Sequence, residues 1–152
     1  SEREAALAAA EHDAAEEAAT LLANARLSAR DDLLGRKRSL AERVLDRARE
    51  QLEALPDGEY LEMIAAGVAK AAGGGGALAV AAADAKRLAG LAARLDALGV
   101  RVTSASDPAP LDHGVLVSGD RVRQEISSSA LIADHRDSLL LVAARSLFGG
   151  EE

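Results

Sequence analysis

The chain has 152 residues, with no cysteine and no tryptophan, and Tyr60 and Phe148 are its only tyrosine and phenylalanine. Without cysteine, disulfides and thiolate metal sites are excluded, and the redox compartment leaves no mark on the sequence. Without aromatic surface, single-stranded nucleic acid lacks the stacked rings that usually hold it. A ligand pocket likewise lacks its usual lining. Positive charge is also in deficit: the formal net charge is -7, which opposes binding to phosphate backbones. The one basic run, Arg36-Lys37-Arg38, stands near Asp31, Asp32 and Glu42 and reads as a solvated helix face. No stretch approaches the ~20 continuous apolar residues of a bilayer span. Residues 72–83 come nearest, but they are short and broken by four glycines. No basic, apolar, then small-residue leader is visible, so the cytoplasm is the expected compartment. Ser1 is not a native start, and further residues are expected upstream.

Proline is absent before Pro56, and Gly35 is the only glycine in that stretch. What fills it is alanine, leucine, arginine and glutamate, all strong helix formers. Residues 1–55 therefore read as one helix, with Glu2, Glu4, Glu11, Asp13, Glu16 and Glu17 suiting its N-terminal side. Apolar residues recur every eleven positions: Leu7, Ala18, Ala29 and Leu40 form one ladder, and Leu22, Leu33, Val44 and Leu55 a second. Eleven residues over three turns drifts into a right-handed supercoil. A heptad ladder, Leu27, Leu34, Ala41, Ala48 and Leu55, is also present and would twist the other way. At ~1.5 Å per residue such a helix reaches roughly 80 Å, and nothing else in the chain is long enough to cover it. A partner helix is expected, seated on Leu7, Ala18, Leu22, Ala29, Leu33, Leu40 and Val44. Gly35 is either a tolerated surface glycine or the mark of a close crossing or bend.

Pro56-Asp57-Gly58 is a turn signal that ends the helix and opens a head domain over 56–152. A helix is expected over 59–72, with Leu61, Ile64, Ala65 and Val68 on one face. The glycines 73–76 then read as a flexible connector into a strand at Leu78-Ala79-Val80. Asp84 is the expected N-cap of a helix over 85–98, which Gly99 closes. Val100-Arg101-Val102-Thr103 is a period-two strand, and Asp107-Pro108-Ala109-Pro110 an extended loop. Two more strands, 114–118 and 121–126, meet at a Gly119-Asp120 hairpin turn. Ser127-Ser128-Ser129 caps a last helix over 130–148. The expected fold is α+β: a long helix, then a small head with a four-stranded sheet. Its expected core is Leu78, Val80, Leu88, Leu91, Leu95, Val100, Val102, Val115, Val117, Val122, Ile126, Leu139 and Val142. Residues 139–142, apolar all round their helix, are expected to pack on the sheet with one side and on another element with the other.

No catalytic constellation is visible. The four glycines lead into Ala77-Leu78, without the lysine and hydroxyl of a P-loop. Asp134-His135 with Asp137, and Asp112-His113, lack two histidines placed on one helix face for a metal. His12 stands alone and reads as exposed. The serines have neither a nucleophile elbow nor a positioned base. Neither catalysis, metal nor cofactor is expected.

Four runs in order carry a family resemblance. Ala23-Asn24-Ala25-Arg26-Leu27-Ser28-Ala29-Arg30 is similar to an A-x-A-x-x-x-A-R run. Ala54-Leu55-Pro56-Asp57-Gly58-Glu59-Tyr60 is similar to an L-P-x-x-x-Y turn. His113-Gly114-Val115-Leu116-Val117-Ser118-Gly119-Asp120-Arg121-Val122 resembles a G-G-V-V-V-x-S-x-D-G-x-I hairpin, and Leu147-Phe148-Gly149 an L-F-G ending. Together they resemble the E subunit of V-type/A-type ATPases across nearly the whole chain. The sequence departs from that family's D-N-[ST] and following arginine with Glu125-Ile126-Ser127 and Leu131, and His113 replaces the first glycine of the pair. No role is carried over to those positions.

The resemblance implies half of a peripheral stalk, a stator at the membrane periphery. Its helix would pair with a helical stalk subunit of the G or H type. Its head would bind the B subunit, and with it A, of the catalytic hexamer, and the stalk would reach the membrane subunit and hold the hexamer against rotor torque during proton-coupled ATP synthesis or hydrolysis. The nearest rival is the regulator of flagellar or type III secretion ATPases, whose helices often carry G-x-x-x-G repeats where this one has Gly35 alone. A small regulatory or ligand-binding α/β domain with a dimerising helix is a second rival, and it predicts a symmetric homodimer.

Overall fold

Alanine, leucine and charged residues without a single proline give an unbroken α1, Glu2–Glu53. In a computed structural model, which describes residues 1–73, 75–119 and 122–149, Pro56 follows it and α2 spans Asp57–Ala72. Next come β1, Gly75–Val80, a 3₁₀ turn at Ala82–Asp84, α3, Leu91–Ala97, and β2, Arg101–Ser104. The chain continues with β3, Val115–Ser118, β4, Arg123–Ile126, α4, Ser128–Asp134, and α5, Arg136–Phe148. The fold is α+β, a long N-terminal helix followed by a four-stranded mixed sheet with flanking helices. The chain divides into two units, Ser1–Glu42 and Arg43–Glu152. The second unit thus includes the last turns of α1.

In the second unit the sheet order is β2-β1-β3-β4. β1 runs parallel to β2, with Gly75 opposite Arg101 and Leu78 opposite Ser104. A parallel pair needs a long crossover, and the segment containing α3 supplies it. β1 is antiparallel to β3, and β3 and β4 form a hairpin. Tyr60, Ile64, Ala65 and Val68 of α2 join Leu78, Leu88, Leu91, Leu95, Val115 and Val117 in one core. Leu55, Leu61, Val80, Val100, Val102 and Ile126 pack around it, partly buried. Gly67 allows α2 this close: a Cβ there would lie 2.5 Å from Cγ2 of Ile126.

Several expectations are corrected. Val122 is 66% exposed, because the hairpin's last register pair is Ser118 with Arg123 and Val122 lies beyond it with nothing to cover it. Asp120 and Arg121 of the expected turn and strand lie outside the described residues. Val142 is 61% exposed and Leu141 is exposed with it. The expected last helix breaks at His135 into α4 and α5. α5 packs chiefly against α4 rather than on the sheet, so of its apolar residues only Ala143 is fully buried while Leu139 and Leu140 are half-buried. Asp84 does not cap a helix over 85–98: turns occupy 85–90, and α3 proper is half the expected length. Gly75 and Gly76 are strand residues of β1 rather than connector, and Gly74 is outside the described residues.

Candidate functional site

A helix of this composition buries itself only if something lies along it. In the first unit Leu7, Leu22, Leu33 and Leu40 are exposed, Leu33 at 53%, and Ala18 and Ala29 are exposed beside them. In the second unit Val44, the next rung, is exposed too. All seven residues expected to seat a partner helix are thus exposed, Leu40 and Val44 least among the larger side chains, at 42% and 40%. The heptad rungs are mixed: Leu27 and Leu34 are exposed, but Ala41 is buried and Ala48 half-buried, while Leu55, a rung of both ladders, packs against the head core. Arg36 and Arg38 are exposed, and a Cβ added at Gly35 would meet nothing within 4 Å.

The head holds a buried polar cluster that the sequence does not announce. Asp84 is 2% exposed. Its Oδ2 accepts from the Tyr60 hydroxyl at 2.8 Å and from the Gly114 backbone N–H at 2.7 Å. His113 Nδ1 lies 3.2 Å from Oδ1 and donates to it. Gly114 sits at φ +91°, and a Cβ there would fall 2.3 Å from the Ile126 carbonyl oxygen. Glycine is thus required where the backbone presents its N–H to the carboxylate. Burial pushes the Asp84 carboxyl up, but the Gly114, Tyr60 and His113 contacts outweigh it and hold the group below its usual range. Burial, and then the hydrogen bond and charge of Asp84, push the Tyr60 hydroxyl well above its usual range, while Arg87 opposes. The same hydrogen bond thus holds the hydroxyl protonated and the carboxylate ionised.

Comparison with models of known protein families and with curated protein sequences gives no match. Function must be argued from these residues.

Of the candidates for chemistry, Asp112-His113 and the serines 127–129 line one cleft, whereas Asp134 and His135 do not line it. His113 turns to Asp84 instead of to Asp112, and His135 Nδ1 lies 3.0 Å from the Leu131 carbonyl. Among the described residues no group of three or more histidine, cysteine, aspartate or glutamate side chains is placed to hold a metal. His12 is exposed and 3.6 Å from Glu16. Ser127 caps α4, its Oγ accepting from the Ala130 N–H at 3.0 Å, and it donates to Glu125. Ser128 is fully buried, and its Oγ has no hydrogen-bond partner among the described residues. A cleft of about 750 Å³ opens beside these serines, lined by Arg49, Glu53, Asp112, His113 and Glu125 among others. Its carboxylates outnumber its cations, which opposes an anionic ligand. Among the described residues no helix is long and apolar enough to cross a membrane.

Proposed function

We propose that this chain is a non-catalytic structural subunit, one half of a two-helix strut that ends in a docking head. The observation that carries the reading is the row of exposed apolar residues along α1, Leu7, Leu22, Leu33 and Leu40. Most helical stability in proteins comes from packing an apolar face rather than from propensity, and apolar area left in contact with water forgoes ~25 cal/mol per Å². A second helix along the row recovers that free energy. The eleven-residue ladder is favoured over the heptad because Ala41 and Ala48 are already covered while Leu33, Leu40 and Val44 remain open. A right-handed pair follows.

With the four sequence runs that resemble the E subunit of V-type/A-type ATPases, the strut becomes a peripheral stalk. α1 pairs with the helical stalk subunit of the G or H type. The head meets the B subunit of the catalytic hexamer, and the stalk holds the hexamer to the membrane subunit against rotor torque. The chain itself needs no cofactor for this. The test is co-expression with the helical stalk subunit encoded in the same genome, followed by analytical ultracentrifugation. A 1:1 complex with helicity above the sum of its parts is expected. A monomer indifferent to that subunit, or a symmetric homodimer of this chain alone, would refute the reading.

A further inference from the structure

The end of α1 raises a problem that its own sequence leaves open. The last carbonyls of a helix lack intrahelical partners, and its C-terminus carries a partial negative charge. No basic residue stands in the last turn of α1, and Ala54-Leu55-Pro56 offers no glycine for a left-handed cap. The cap comes instead from Arg87, in the turns between β1 and α3. Its Nη1 donates to the Glu53 carbonyl at 2.8 Å, its Nη2 donates to the Leu55 carbonyl, and its Nε donates to Asp57 Oδ1 at 3.0 Å. All three guanidinium nitrogens are thus engaged across the α1–α2 corner. The guanidinium carbon also lies 3.7 Å from the centre of the Tyr60 ring, and the Tyr60 hydroxyl is held by buried Asp84. The planar fork is held from one face and along its edges, while its side chain is only 17% exposed.

We infer that Arg87 is a clamp that fixes the direction in which the last turns of α1 leave the head, with Tyr60 and Asp84 as its seat. A hydrophobic contact can slide, whereas a guanidinium bonded to two backbone carbonyls and stacked on an anchored ring cannot move without breaking several bonds together. A lysine would keep the charge and lose the fork. The clamp itself stands on geometry alone. That it transmits torque from helix to head rests on the stalk reading.

The chain has no cysteine, so Asp46→Cys with Asp96→Cys, both at exposed positions, gives a clean spin-label pair between α1 and α3. The labelled parent should show one narrow distance distribution by pulsed electron–electron resonance. Arg87→Met should broaden it by about twofold, because the corner then opens locally without global unfolding, and Arg87→Lys should do so to a lesser degree. Near-ultraviolet circular dichroism, which reports Tyr60 in a chain with one tyrosine and no tryptophan, should change in both variants while far-ultraviolet helicity stays. An Arg87→Met distribution as narrow as the parent's would overturn the clamp. Should that variant not fold, hydrogen exchange on the unaltered chain decides. Amides of residues 48–55 should be as protected as those of α2, and fraying there would overturn it equally. No partner enters these measurements, so they fail or succeed apart from the pairing experiment.

Discussion

Asp84 brings a charge into the head core, and its three donors are what keep it ionised there. Tyr60, opposite it, is the mirror case, a hydroxyl kept protonated by burial and by that same carboxylate. The signs of the two contributions follow from linkage. Tyr60 has a folded value above its unfolded value of about 10, so its contribution is full below pH 10 and shrinks as pH rises beyond it. Asp84 has a folded value below its unfolded value of about 4, so its contribution is full above pH 4 and is lost as pH falls toward the folded value. Urea melts of the head should therefore show a plateau near neutrality that falls at both ends. Tyrosinate absorbance should rise only well above pH 10, as a single step, since there is one tyrosine. A step near the ordinary value would show that Tyr60 is not buried against Asp84.

At the scale of elements, α1 and α5 both leave apolar residues uncovered, for different reasons. α5 departs from the sheet because the chain breaks at His135, and Leu141 and Val142 face outward as a result. α1 is exposed along Leu7 to Leu34, whereas Ala41 and Leu45 nearer its C-terminal end are buried, and no other described helix approaches its fifty-two residues. Gly35 tests how tightly a partner passes. Space around it is open, and glycine in a helix interior costs roughly 0.5–1 kcal/mol relative to alanine. Gly35→Ala should accordingly raise the helicity and hydrogen-exchange protection of α1 in the isolated chain. If a partner helix crosses closely at that position, the same variant should bind it more weakly, which a titration with the partner would read.

At the scale of the whole molecule, the two units can be tested separately. Residues 43–149 contain the sheet, its core and the Asp84 cluster, whereas the exposed ladder from Leu7 to Leu40 belongs to Ser1–Glu42. Leu33→Asp combined with Leu40→Asp should abolish pairing while the near-ultraviolet signal of Tyr60 and the head's urea midpoint stay as they were. Normal pairing by that double variant would mean that the seam lies elsewhere on the helix. A partner at a hundredfold excess over its dissociation constant should stabilise the paired form by about 2.7 kcal/mol, seen as a rise in the melting temperature of α1.

Periodicity and composition alone determined that a helix runs from near Ser1 to the Pro56 turn and that four strands follow. Those are local properties: helix propensity, an eleven-residue repeat and period-two alternation each act through near neighbours. Leu88, Leu91, Leu95, Val115 and Val117 were legible as core for the same reason. Only the tertiary structure decided where Asp84 points, because its partners Tyr60, His113 and Gly114 lie twenty-four to thirty residues away. It alone placed Arg87 at the end of α1, since the carbonyls there belong to residues more than thirty positions distant. Val122 and Val142 looked like core by alternation and by apolar run, yet whether an apolar residue is buried depends on what arrives to cover it. At the hairpin tip and on the outer side of α5, nothing in the described chain does. The ladder on α1 is the same case: its rungs Leu7, Leu22, Leu33 and Leu40 are apolar by sequence and exposed in the structure.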